Sequence, residues 1–337
     1  MKGPITPRAN LRLLLLYGIP FAAILGIAPL YGSESIRFSD VLHAIYGGEW
    51  SAAAEIFLFQ RIPRVMLAAL VGGTLAVVGA SFQVILHNPL AEPYTLGITG
   101  GASIGAASAI LFPSLLTGWW VFGAAQLLAL AGSILVLLMI YTIARRPEGI
   151  SIYSLLLAGV TLSIMSAGAI LFLRYLASPH LLLQMDRWMM GGLDVIGYRE
   201  LTALFPFLLP GLGILLSCSV ELNHLTMGEE LASGHGVNVA AIQRLVFIGG
   251  GLATAAVVSL SGPIGFVGLI VPHAVRQLTG CDHRIVLPAS FCLGGSFLVI
   301  CDTIARTAFA PTELPVGIIT ALIGGPLFIR LLLRTRL

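Results

Sequence analysis

Charge is scarce in this sequence. Asp, Glu, Lys and Arg make up only 10% of its 337 residues, whereas a soluble domain carries about 25%. With 57% hydrophobic residues and a mean hydropathy of +0.97, that deficit excludes a water-soluble fold. Lysine is almost missing: Lys2 stands against seventeen arginines. The net charge of +3 is spread along the chain, so no nucleic-acid surface is implied. Cysteine is sparse as well. Cys218, Cys281, Cys292 and Cys301 form no CxxC pair and read as apolar helix residues, not as metal ligands or a disulfide framework.

Catalytic patterns are also lacking. The glycine-rich ITGGASIG at 98–105 has no lysine where a phosphate-binding loop needs one, so this chain does not itself hydrolyse ATP. The seven histidines show neither HExxH nor paired metal spacing, and no metal site is expected. His273 and His283 fall near cytoplasmic helix ends, where an imidazole can cap exposed carbonyls. There is no GxSxG elbow and no pair of intramembrane carboxylates to relay protons. Asp302 is the one acid well inside an apolar run, and Arg306, four residues on, offers it an ion-pair partner.

Long apolar runs are what the chain has in quantity. Windows near 13–32, 62–86, 94–112, 117–143, 151–176, 200–219, 240–259, 264–279, 284–304 and 314–333 predict an all-α polytopic membrane protein of about ten transmembrane helices. The eighth is the weakest, because SGPIGFVG at 261–268 carries helix-weakening residues. Lys2, Arg8 and Arg12 precede the first run as in a signal peptide, but that run continues through Pro29 without a small-x-small site and reads as a retained helix. An even count puts both termini on one side. With that side cytoplasmic, eleven basic residues lie inside and seven outside, as the positive-inside tendency favours.

Two stretches stand out. Arg61 and Arg64, three apart around Pro63, lie outside at an expected helix start, where the helix dipole disfavours cations. They are ordinary interfacial anchors or a docking site for an acidic partner. The internal stretch 220–239 is amphipathic, divided by Gly228, Gly234 and Gly236, and longer than a connector needs, which favours a contact surface.

An ordered set of motifs carries a resemblance across most of the chain. RIPR at 61–64, GASFQVILHNPLAEPYTLGITGGASIGA at 79–106, LLLAGV at 155–160 and WMMGGL at 188–193 are followed by LTMGEELASGHGV at 225–237. GPIGFVGLIVPHAVR at 262–276, GCDHRIVLP at 280–288 and ELPVGIITALIGGPLFI at 313–329 complete the set. The chain thus resembles permease subunits of the iron-siderophore, haem and vitamin B12 ABC importers, the type II importers. That resemblance implies one transmembrane permease domain over 1–337 in a bacterial cytoplasmic (inner) membrane, paired as a homodimer. It also implies two ATPase subunits inside, which use ATP and Mg, and an extracytoplasmic substrate-binding protein outside. No cofactor is expected on this chain.

By the same resemblance, Arg61, Arg64 and Arg306 meet acidic residues of the binding protein. Leu225, Gly228, Glu229, Glu230, Ala232 and Gly236 belong to the loop that receives the ATPase. Asn88, Leu90, Ile152 and Tyr153 sit at the cytoplasmic gate, and the pair Ile152–Tyr153 departs from the small hydroxyl residues a relative can use there. Gly317, Gly324 and Gly325 in the last run permit close helix contact and are the candidates for the dimer interface. The expected cargo is a bulky metal chelate, iron(III)-siderophore first, then corrinoid, then haem. An ion-coupled secondary transporter is the rival class, which the near absence of intramembrane ionisable residues disfavours.

Overall fold

A computed structural model describes residues 7–32, 52–113, 123–146 and 149–334. Thirteen helices are seen among them: α1 (Pro7–Ile27), α2 (Ala52–Ile85), α3 (Ile98–Leu111), α4 (Ala124–Ala144), α5 (Ile152–Leu176), α6 (Pro179–Met189) and α7 (Arg199–Ser217), then α8 (Ser219–Leu225), α9 (Glu229–Gly234), α10 (Val239–Ser261), α11 (Val267–Thr279), α12 (His283–Thr307) and α13 (Val316–Arg334). A two-residue antiparallel pair, β1 (Arg145–Arg146) with β2 (Gly149–Ile150), closes the turn between α4 and α5. Each of the ten apolar windows coincides with a helix. Six of the helices are long and apolar enough to cross a membrane, and α1, α3 and α13 contain shorter apolar helical segments. The eighth window yields only α11, 13 residues and so about 20 Å of helix. Ahead of it the chain is irregular from Gly262 to Phe266.

The centre of the bundle is α2. Of its most apolar window, 89% is buried, against 28% for α5 at the periphery. It packs on α10, α11 and α12. Lipid tails are as apolar as leucine side chains, so these helices gain little from hiding apolar surface and depend on close backbone contact instead. Glycines supply it. A Cβ at Gly79 would overlap the Gly268 carbonyl of α11, one at Gly72 the Gly294 carbonyl of α12, and Gly101 of α3 stands in the same relation to Gly132 of α4.

The second window needs a correction. Its helix begins ten residues earlier, at Ala52, so the stretch Ala52–Gln60 ahead of the window is helical too; residues 33–51 lie outside the described residues. Pro63 does not open the helix. Proline lacks the amide that would bond four residues back, and the chain passes this point through a wide π-turn at Phe57–Arg61. The freed carbonyls find distant partners: the Gly197 amide donates to Phe59 O at 2.7 Å, and the Tyr198 hydroxyl donates to Leu58 O at 2.8 Å. Sequence windows cannot see such a repair.

The glycines of α13 divide by environment. A Cβ at Gly317 would overlap the Met190 carbonyl, and one at Gly324 would come within 2.5 Å of Phe266 Cβ, so both are required inside the chain. Gly325 alone of the three faces open space. If backbone contact holds the bundle, Gly79→Ala should destabilise the detergent-solubilised chain by roughly 1–3 kcal/mol, the usual cost of overpacking. Gly325→Ala should leave its melting temperature unchanged. Equal melting of the two variants would contradict this packing account.

Candidate functional site

The outer end of the bundle gathers the three arginines singled out above. Arg61, Arg64 and Arg306 line one cleft of about 450 Å³ together with Asp194 and Glu313. None stands at a helix start. Arg61 and Arg64 lie well inside α2, so the dipole penalty expected for them does not arise. Arg61 donates to the Pro29 and Leu30 carbonyls at 3.2 and 3.3 Å, and Arg306 donates to the Tyr31 carbonyl at 3.2 Å. These are carbonyls beyond the C-terminal end of α1, where a cation is favourable.

Arg64 sits among carboxylates: Asp302 at 3.0 Å, Glu313 at 2.7 Å and Asp194 at 3.5 Å. Asp302 is fully buried and also contacts Arg306 at 3.0 Å, the i,i+4 pair legible in the sequence. A buried carboxylate is tolerable only with such partners. Arg61 and Arg306 are only 6% and 3% exposed. The cluster therefore organises the outer ends of α1, α2, α12 and the segment before α13, with the cleft as its opening.

At the inner end, the stretch 220–239 folds as α8, a turn and α9. Gly228 (φ 105°) and Gly236 (φ 81°) bracket α9 in left-handed backbone that side chains rarely adopt. Leu225 and Ala232 are buried and anchor the pair, while Glu230 is exposed. Two polar links fasten this unit to the spanning helices. Asn223 of α8 donates to Asp282 Oδ1 at 2.8 Å, and its Oδ1 accepts from the His283 amide at 2.7 Å, joining it to the start of α12. Glu229 of α9 accepts from Gln243 Nε2 of α10 at 2.9 Å.

Gln243 has a second role. Its Oε1 accepts from the Ile150 amide in β2 at 3.4 Å, immediately before α5. Ser151 caps α5 by accepting from the Ser154 amide. Ile152 and Tyr153 open that helix, and Tyr153 is 77% exposed. The buried Gln243 thus bridges α9 to the start of α5. Nothing in the sequence marked it, because a lone glutamine in an apolar run has no spacing pattern.

Asn88 and Leu90 form the turn after α2. The Leu90 amide donates to Asn88 Oδ1 at 2.9 Å, an Asx turn, and Leu90 is 42% exposed. Two residues on lies a second buried acid that the sequence reading passed over: Glu92 is 8% exposed. It reads as part of a polar turn, yet the turn folds back against α11 and accepts a hydrogen bond from the Phe266 backbone. His273 and His283 do not cap carbonyls as expected. His283 is the first residue of α12, with Nδ1 at 2.9 Å from Asn223 Oδ1, and His273 pairs with Gln277 on its own helix. Asp282, hydrogen-bonded to Arg284 and Asn223, is held down at about 2 and stays charged as the N-cap of α12.

Among the described residues, no group of His, Cys, Asp and Glu is placed to hold a metal. The arrangement offers two polar ends joined by close-packed helices.

Comparison with known proteins matches residues 20–334 to the FecCD transport family. The chain is 42% identical to the cobalamin import system permease protein of Halobacterium salinarum over 81% of this chain and 72% of that protein. It is 36% identical to the hemin transport system permease protein of Yersinia pestis, over 100% of this chain and 98% of that one. Among solved structures, an inward-facing metal-chelate type ABC transporter superposes with a TM-score of 0.81 at 29% identity, over 96% of this chain and 99% of that one.

Glu92 gives this region a pH signature. Burial raises its carboxyl to about 7, with the Phe266 hydrogen bond opposing the shift. The folded chain then holds the proton more tightly than the unfolded chain. The resulting stability is full below about 4.5 and lost as pH rises through about 7. Melting measured from about pH 5 to pH 8 should fall for the wild type and stay flatter for Glu92→Gln. Identical slopes would remove Glu92 as the source.

Proposed function

We propose a cargo and a working cycle for this chain, which belongs to the FecCD transport family and is a non-catalytic, multi-pass permease subunit of an ABC importer. ABC importers work with ATPase and binding-protein partners. In this reading the permease is a homodimer that receives two Mg- and ATP-using subunits on α8 and α9, and a substrate-binding protein at the arginine cleft. The cargo is a bulky metal chelate. The motif resemblance alone puts iron(III)-siderophore first. The relatives named for cobalamin and hemin import, at 42% and 36% identity, bring corrinoid to the front and support haem as well. Siderophore is separated from both by the assay below.

The observation that carries the cycle is the Gln243 bridge from Glu229 to Ile150. A displacement of α9 by a partner pulls on a buried glutamine, and through it on the backbone that starts α5. Ile152 and Tyr153 then move relative to Asn88 and Leu90 as a cytoplasmic gate. Only two packings of similar energy are needed, and nucleotide bound to the partner biases them. Small and apolar lining residues suit such a path, because a deep binding well would trap the cargo.

At the outer face, the cleft lined by Arg61, Arg64 and Arg306 supports docking of acidic side chains. Since Arg64 already pairs with the buried Asp302 and with the more exposed Glu313 and Asp194, charge reversal there would set a second acid against the buried Asp302 carboxylate and cost about 3–5 kcal/mol of stability. Arg64→Gln, with melting measured alongside, separates the two roles. Binding-protein affinity should weaken in this variant and with added salt. Affinity independent of both would confine the arginines to holding the outer helix ends.

Uptake into vesicles carrying the assembled transporter tests the whole reading. Radiolabelled cobalamin, haemin or a ferric siderophore should accumulate only with ATP, and collapse of the ion gradient should not stop it. Gln243→Leu should lower uptake about tenfold or more while ATP hydrolysis persists, a coupling loss of at least ~1.4 kcal/mol. Uptake driven by the ion gradient without ATP would favour the secondary-transporter class. Undiminished uptake in Gln243→Leu would remove the bridge from the mechanism.

A further inference from the structure

The junction of α4 and α10 gathers basic side chains that the proposed cycle leaves without a role. The two helices run antiparallel, with the Tyr141 and Phe247 rings stacked at 6.4 Å and Leu137 of α4 against Gly251 of α10. Continuing that register puts Arg145, just past the end of α4, level with the first turns of α10, where Arg244 lies. Arg145, Arg146 and Arg244 are all exposed, and together with Gly149 and Ala240 they line a cleft of about 450 Å³. That volume falls within the roughly 300–1,000 Å³ of small-molecule sites.

Four arginines elsewhere in the fold are answered by acids. Arg64, Arg174, Arg284 and Arg306 each have a carboxylate within 4 Å. Among the described residues, none of the three at this junction has one. Arg244 donates only to the Ala240 carbonyl of its own helix, at 3.1 Å. Glu229 and Glu230 share a neighbouring groove with Arg146 without pairing to it. Next to the cleft the surface turns apolar. Ile143 is 53% exposed and Leu245 45%, with Met139 and Ile248 exposed further along the same two helices. An occupant matching both parts needs an anionic head and an apolar tail.

We propose that this junction is a binding site for an anionic phospholipid of the cytoplasmic leaflet. The three guanidiniums hold the phosphate, and the acyl chains lie along Ile143 and Leu245. Basic pockets between helices on the cytoplasmic side take such headgroups by this combination of charge and depth. A soluble acidic peptide would satisfy the arginines and leave the apolar faces uncovered.

Native mass spectrometry of the full-length permease, delipidated and titrated with phosphatidylglycerol or phosphatidylcholine of the same acyl chains, tests this. Wild type should retain phosphatidylglycerol preferentially. The triple variant Arg145→Gln, Arg146→Gln, Arg244→Gln should lose that retention at least about fivefold, with phosphatidylcholine unchanged. Arg330→Gln, an exposed cation on α13, should behave as wild type. Arg244→Gln alone should give a partial loss if the triple variant expresses poorly. Equal retention by triple variant and wild type overturns the proposal. Displacement of the lipid by millimolar glycerol 3-phosphate would make it a site for soluble anions. Unchanged lipid retention with lost ATPase-subunit binding would make it a protein interface.

Discussion

Helices inside a bilayer gain almost nothing by hiding apolar side chains from one another, so they hold together where their backbones can touch. The rest of this structure depends on that constraint. Gly79 against Gly268, Gly72 against Gly294 and Gly101 against Gly132 bring α2 to α11, α2 to α12 and α3 to α4. Large apolar residues then face outward, as on α5, where Ile164, Leu171 and Phe172 are exposed. A bundle made this way is stiff along its glycine seams. It can still slide or tilt as blocks, which is what a permease with two packings requires.

Among the described residues, the ion pairs and amide links that join different helices gather at the ends of these blocks. Outside, Asp302 is the common partner of Arg64 and Arg306, while Arg61 and Arg306 cover the carbonyls after α1. Inside, Asn223 and Gln243 fasten the α8–α9 unit to α12 and α10. Among the described residues, neither set runs ionisable groups through the middle of the bundle. In the proposed cycle, force from a partner has a route, through two amide side chains.

Much of this was legible because membrane spans are written in length and apolarity, and all ten windows met a helix. The failures have one origin: partners far away in sequence. Pro63 looked like a helix start, since its repair by Gly197 and Tyr198 lies about 135 residues on. Arg61 and Arg64 looked electrostatically misplaced for the same reason. Gly317 and Gly324 read as sites of close helix contact, and only the structure shows their neighbours within the chain, Met190 and Phe266. Glu92 and Gln243 were passed over, because a single polar residue declares nothing until its neighbours are known.

The central claim is that α9 and the start of α5 move as one body across the transport cycle. Spin labels at Ser233 and Tyr153, both exposed, measure it most directly in the assembled transporter once exposed Cys281 is replaced. Pulsed electron–electron distances taken with and without ATP should keep the Ser233–Tyr153 separation within one chain constant, while the Tyr153–Tyr153 separation between the two copies changes. A Ser233–Tyr153 distance that shifts with ATP while the Tyr153–Tyr153 distance stays fixed would contradict the account.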